Sequence, residues 1–213
     1  MSIKDNILNI KEEISNQVKL VAVSKTRSID EIKEAYNSNQ KIFGENRVQE
    51  IVEKHQLLPN DIEWHMIGHL QKNKVKYISE FISLIHSLDR LSLANEIDKN
   101  GKKHDKSINC LIQIKIAQED IKSGFNINEL DDVMKYSKNL ENINIVGLMG
   151  MSTFTNNQKI IENEFTVLSK AFKKRKSENF RILSMGMSND YEIAIEAGSN
   201  MIRIGSLIFG SRN

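Results

Sequence analysis

Ile3, Ile7, Ile10, Ile14 and Val18 recur in steps of three and four. That spacing puts one apolar stripe on a helix at the start of the chain. The period then changes. Leu20-Val21-Ala22-Val23 is continuously apolar, rich in β-branched residues and too short for a helix. Such runs suit strands buried on both faces of a parallel sheet. Further strand-like runs begin near Lys41, Glu63, Leu84, Asn109, Asn144, Arg181 and Met201. Charged, amphipathic stretches separate them. Residues 127–140 and 159–174 read as helices, and Ser28-Ile29-Asp30-Glu31 has the form of a capping box that opens another. The single proline, Pro59, stands in Leu57-Leu58-Pro59-Asn60-Asp61, which reads as a loop.

Eight strands alternating with helices imply parallel pairing, because a parallel connection needs a crossover. Two α/β architectures satisfy that pattern: a closed (β/α)₈ barrel and an open doubly wound sheet. Eight repeats in so short a chain, with no strand reading as a polar edge, favour a single (β/α)₈ TIM barrel with an extra N-terminal helix. We expect one domain spanning residues 1–213. In both architectures ligands bind at the C-terminal ends of the strands, so candidate chemistry is sought there.

Composition narrows the function classes. The chain has 213 residues, with 30 Lys+Arg against 28 Asp+Glu, so a net charge of +2 gives no bulk attraction to nucleic acid or anionic lipid. One cysteine excludes an intramolecular disulfide and a thiolate zinc cluster. No apolar run approaches the ~18 residues of a membrane span. The N-terminus lacks a basic segment followed by an apolar one. We therefore expect a cytoplasmic protein. There is no G-x-G-x-x-G, Walker or G-x-S-x-G motif, which leaves nucleotide-dependent and serine-hydrolase chemistry without support.

Lys25 directly follows the first strand. It is either a solvated loop residue or an amine at the barrel mouth. In a partly desolvated site the amine pKa falls, and a neutral amine attacks aldehydes. After the second strand, Asn46 in Gly44-Glu45-Asn46-Arg47 is either a helix cap or a ligand contact. The seventh strand runs into Gly186-Met187-Ser188-Asn189-Asp190 and then a helix, which Ser188 or Asn189 would cap. The eighth runs into Gly205-Ser206. Two donor-rich turns after strands 7 and 8 match the phosphate site common in these barrels. Arg203 lies inside an apolar run, where a charge needs a partner. His65 and His69 have metal-pair spacing but lie in a strand-like run with no third ligand in view, so no metal site is expected. The lysine clusters at 72–76 and 173–176 read as solvated helix faces, and Cys110 as a buried filler.

Together these stretches resemble the pyridoxal 5′-phosphate homeostasis protein family. The resemblance rests on Val21-Ala22-Val23-Ser24-Lys25-Thr26, Phe43-Gly44-Glu45-Asn46, Glu63-Trp64-His65-Met66-Ile67-Gly68 and Leu70-Gln71-Lys72-Asn73-Lys74. It continues in Lys122-Ser123-Gly124, Gly147-Leu148-Met149, Leu183-Ser184-Met185-Gly186-Met187-Ser188, and Arg203-Ile204-Gly205-Ser206 with Ile208-Phe209-Gly210. It spans nearly the whole chain in order. It implies a barrel like the N-terminal domain of alanine racemase, with pyridoxal phosphate held as a lysine aldimine on Lys25. Asn46 would lie beside the ring, Arg203 would face the pyridine nitrogen, and Ser188, Gly205 and Ser206 would hold the phosphate. His65 would also approach the ring. The chain departs from the family pattern in Met149-Gly150-Met151-Ser152-Thr153, which replaces an alanine-proline stretch, in its last residues Ser211-Arg212-Asn213, and in a shorter segment before the first strand.

The resemblance points to a carrier that buffers or delivers the cofactor without dedicated turnover, and so to no catalytic residue. A cation beside the ring nitrogen opposes its protonation and weakens the electron sink. With the eighth strand so close to the last residue, a second domain like the one that supplies a base in alanine racemases is not expected. The expected partners are pyridoxal phosphate and pyridoxal-phosphate-dependent apo-enzymes, with no nucleic acid and no membrane, and the chain is expected to be a monomer. The alternative is a small pyridoxal-phosphate-dependent amino-acid racemase or lyase; a scaffold binding proteins through its basic helix faces is a third reading.

Overall fold

The computed structural model describes residues 2–118 and 123–211. Lys122, Arg212 and Asn213 lie outside the described residues. The first helix, α1 (Ile3–Glu13), buries Ile7 and Ile10 and starts at a capping box in which the Ser2 and Asp5 side chains each bond the other's backbone N–H. It ends earlier than the apolar stripe suggests: Ile14 is extended.

The alternation read from the sequence is present, with a 3₁₀ turn in place of an α-helix between the third and fourth strands. It runs β1 (Lys19–Val23), α2 (Ile29–Asn37), β2 (Ile42–Glu45), α3 (Val48–Leu57), β3 (Glu63–Met66), a 3₁₀ turn (Lys72–Tyr77) and β4 (Leu84–Leu88). It continues with α4 (Leu91–Lys103), β5 (Ile108–Gln113), α5 (Leu130–Ser137), β6 (Ile143–Met149), α6 (Gln158–Lys173), β7 (Ile182–Ser184), α7 (Tyr191–Glu196), β8 (Met201–Ile204) and α8 (Ser206–Phe209). The capping box at Ser28 and Glu31 opens α2 as expected. The helix expected over 127–140 is divided. Residues Ile127–Glu129 form a 3₁₀ turn before α5, because Asn126 and Glu129 make their own capping box one turn earlier.

Every neighbouring strand pair is parallel, and β1 pairs with β8 with Lys19 opposite Met201 and Val21 opposite Arg203. The sheet is thus a closed eight-stranded barrel, which excludes the open sheet. Side chains alternate across a strand, and the core divides accordingly. Leu20, Ala22, Phe43, Trp64, Ile85, Ile112, Ile202 and Ile204 belong to a large apolar layer between strands and helices. Val21, Leu84, Leu111, Val146, Met149 and Met201 form a separate, smaller cluster. Alternation assigns that cluster to the lumen, with β6 shifted by one residue where Val146 is extra between the partners of Cys110 and Leu111. Two residues further along the strands the lumen turns polar, at His86, Gln113 and Arg203, all buried.

Gly147 marks a close approach between β6 and β7. A Cβ there would lie 1.7 Å from the Ile182 carbonyl oxygen, a backbone atom that cannot swing away. Gly147→Ala is expected to destabilise the chain by at least about 2 kcal/mol, read as a lower urea midpoint in equilibrium unfolding.

Candidate functional site

The C-terminal rim of the barrel encloses a cavity of about 1090 Å³. Lys25, Asn46, Ser188, Arg203, Gly205 and Ser206 all line it, so the six residues singled out from the sequence are brought together. Gln113, Ser152, Asp190 and Gly68 also line it.

Lys25 occupies the turn that leaves β1 and is partly buried. The next residue, Thr26, has φ +65°. A β-branched residue in that region is strained, by about 1–3 kcal/mol. Surrounding structure must hold it. The Thr26 N–H donates to Glu50 Oε2 at 2.8 Å, and Lys54 Nζ donates to the Ser24 carbonyl at 2.8 Å. Lys54 also bonds Glu45 Oε1 at 2.7 Å and Glu50 Oε2 at 3.1 Å, while Ser24 Oγ donates to Glu45 Oε1 at 2.6 Å. Glu45 is wholly buried, and its other oxygen, Oε2, has no hydrogen-bond partner. Burial pushes the Glu45 carboxyl up to about 7, against the opposing pull of Lys54 and Ser24.

Asn46 does not cap α3. Arg47 holds the cap position, with no side-chain bond to the helix. The Asn46 backbone is instead covered by Gly68: a Cβ on Gly68 would fall 2.5 Å from the Asn46 carbonyl oxygen. The β2 and β3 ends therefore touch through a residue that has no side chain.

Ser188 and Asn189 do not cap α7 either. Asp190 occupies the cap position with no side-chain bond to the helix. Its carboxylate points back, with Oδ1 accepting from the Met187 N–H at 2.6 Å and Oδ2 from Ser152 Oγ at 2.5 Å. This ties the turn after β7 to the loop after β6. That loop is the stretch lacking proline, and it is pinned a second time where Glu164 accepts from the Thr153 N–H at 2.7 Å and from Thr153 Oγ1 at 2.6 Å. Ser188 is released to face the cavity, with its Oγ 3.4 Å from the Gly205 N–H. Gly186 takes φ +94°, a conformation glycine adopts without penalty, and lets the chain turn out of β7.

Arg203 is only 4% exposed. Its Nη1 donates to the Ser184 carbonyl at 3.0 Å and to Ser184 Oγ at 2.6 Å, and its Nη2 to the Gly150 carbonyl at 3.1 Å. Burial lowers its pKa to about 10, and Asp190 acts the other way. Behind it lies a chain that the sequence reading missed. His86 Nδ1 is 3.2 Å from Ser184 Oγ, and His86 Nε2 is 3.0 Å from His65 Nδ1. Guanidinium only donates. Ser184 Oγ accepts from it, and the Ser184–His86 and His86–His65 bonds run in the direction the imidazole tautomers set. Burial holds both imidazoles neutral: it lowers His65 to about 3 and His86 well below the ordinary value. His65 Nδ1 thus faces His86, and His65 is not among the residues that line the cavity. His69 bonds Asp89 at the surface, 3.0 Å away. The two histidines are not brought together. The sign that pointed to His86 and Ser184 was a pair of polar residues, His86-Ser87, inside the apolar run of β4, and Ser184 next to the β7 apolar pair.

A pyridine-ring cofactor with an aldehyde and a phosphate fits this donor set. The amine and the two donor-rich turns bound one cavity, and the buried Arg203 adds a cationic donor to its wall. The family described as "Alanine racemase, N-terminal domain" matches residues 1–213. The pyridoxal phosphate homeostasis protein of Aquifex aeolicus is 41% identical over 92% of this chain and 88% of its own. The chain belongs to the pyridoxal phosphate homeostasis protein family. PipY of Synechococcus elongatus has been solved both without and with pyridoxal phosphate. Without pyridoxal phosphate it superposes with a TM-score of 0.92 at 30% identity, and with pyridoxal phosphate bound at 0.87 and 29%, each covering 98% of this chain and 100% of PipY. Alanine racemase of Clostridium difficile shares the fold, with a TM-score of 0.79 at 16% identity over 99% of this chain and 56% of the racemase.

The buried imidazoles set a pH dependence for this homeostasis-family barrel. A histidine whose folded pKa lies below its unfolded value lets the unfolded chain take the proton first. Its contribution to stability is complete above about 6.5 and is lost as pH falls towards about 3. His65→Gln is expected to flatten the fall of stability between pH 6 and 4 by up to about 1.4 kcal/mol per pH unit. Denaturant titrations of both proteins across that range measure it.

Proposed function

We propose that this chain binds pyridoxal 5′-phosphate and serves its homeostasis as a monomeric cytoplasmic carrier. It holds the cofactor on Lys25 and gives it up to amino compounds and to pyridoxal-phosphate-dependent apo-enzymes. The observation that carries this reading is the convergence in one cavity of Lys25 from β1 with Ser188, Gly205 and Ser206 from the turns after β7 and β8. PipY, which matches the chain over its full length, has been solved with pyridoxal phosphate bound.

When bound, the cofactor supplies an aldehyde for reversible attachment and a ring that can act as an electron sink. Lys25 supplies the amine. Condensation forms one carbon–nitrogen double bond and releases one water, and attack by water or another amine reverses it. Ser188 and Ser206 offer hydroxyls to the phosphate, and Gly205 keeps the backbone close to it. Asn46 stands beside the ring. Arg203 donates to the ring nitrogen. Because a guanidinium only donates, the nitrogen it faces stays unprotonated, and that weakens the sink. The residues thus favour holding the cofactor over turning substrate over.

Borohydride treatment of the loaded protein is expected to fix the cofactor on the peptide containing Lys25, and Lys25→Ala is expected to abolish the adduct. Mass spectrometry of the digested protein reads both, and fixation at another lysine overturns the assignment. Sustained conversion of L-alanine or L-serine well above that given by free cofactor would favour a racemase or lyase instead.

A further inference from the structure

The group on α3 beneath the β1 turn is not accounted for by cofactor contact. Lys54 and Glu45 lie outside the cavity lining, Lys54 is 5% exposed, and Glu45 is wholly buried. Buried ion pairs add little to stability compared with a well-packed apolar pair of similar size. What this one does is local. The Ser24 carbonyl, which accepts from Lys54, belongs to the peptide group just before Lys25. The Thr26 N–H, which donates to Glu50, belongs to the peptide group just after it. Lys54 itself bridges Glu45, at the end of β2, and Glu50, one helical turn before it on α3.

We propose that Lys54, clamped between Glu45 and Glu50, is a positioning residue for Lys25. With Glu50 it fixes both peptide groups that flank Lys25, so that the strained turn presents its amine to the cavity in one orientation. The proposal rests on the reading of Lys25 as the residue that takes the cofactor. The clamp also links three separate pieces of chain. The carboxylate comes from the β2 end, the ammonium and second carboxylate from α3, and the clamped peptides from the β1 end. Loss of either α3 group frees one flank of Lys25 and leaves the barrel strands paired.

The test uses Lys54→Met and Glu50→Ala in the full chain. Glu50 is partly exposed, so its variant keeps the test open if the buried Lys54→Met fails to fold. Hydrogen–deuterium exchange on cofactor-free protein is expected to rise at least tenfold at the Thr26 amide in Glu50→Ala, with the amides of β1 unchanged. The rate at which added pyridoxal phosphate becomes borohydride-fixed on Lys25 is expected to fall at least tenfold in the same variant. Glu50→Gln, which keeps an oxygen acceptor for the Thr26 amide, is expected to recover most of both. Wild-type protein that takes no label on Lys25 overturns the functional reading, and the proposal with it. Wild-type labelling together with an unchanged rate in Glu50→Ala overturns the clamp alone. Slower labelling without faster Thr26 exchange also overturns it, because the carboxylate would then act through its charge on the amine.

Discussion

The pairing of β1 with β8 is the contact on which the site depends. Lys25 and Ser206 are far apart in the chain, and no local preference would bring them together. Closure of the sheet, with Val21 opposite Arg203, places the turn after the first strand beside the turn after the last. A barrel has no free edge, so the same ladder that completes backbone hydrogen bonding also completes the cavity. An open arrangement of the same eight strands would leave the amine and the two donor-rich turns at places set by a different strand order.

Much of this was legible because the signals were periodic. Parallel strands buried on both faces show up as short β-branched runs, of which Leu20 to Val23 is the clearest. The site was legible for a related reason. A barrel confines its chemistry to the strand ends, which reduces the search to a few residues after each apolar run. The resemblance to a known family then assigned roles to those positions that position alone left open.

The rest depended on contacts between residues distant in sequence. Nothing around Asp190 indicates that its carboxylate turns back to Met187 and across to Ser152 instead of having the cap filled by Ser188 or Asn189. Asn46 looked like a cap because it precedes a helix, yet the packing of Gly68 against its backbone decides its place. His65 was drawn towards the ring by its position in a motif. Its partner, His86, comes from the neighbouring strand, and only the pairing of β3 with β4 reveals the bond. Lys54 is the sharpest case: in sequence it is one of many helix lysines, and only the fold shows it buried under the β1 turn.

The hydrogen bonds behind Arg203 form one run, from guanidinium to hydroxyl to imidazole to imidazole. Ser184 and Gly150 between them accept three bonds from the guanidinium, so its plane is held in one orientation. Burial keeps the two rings behind it neutral, so they place no second cation beside it. Whatever occupies the cavity therefore meets a single buried positive charge of fixed aim.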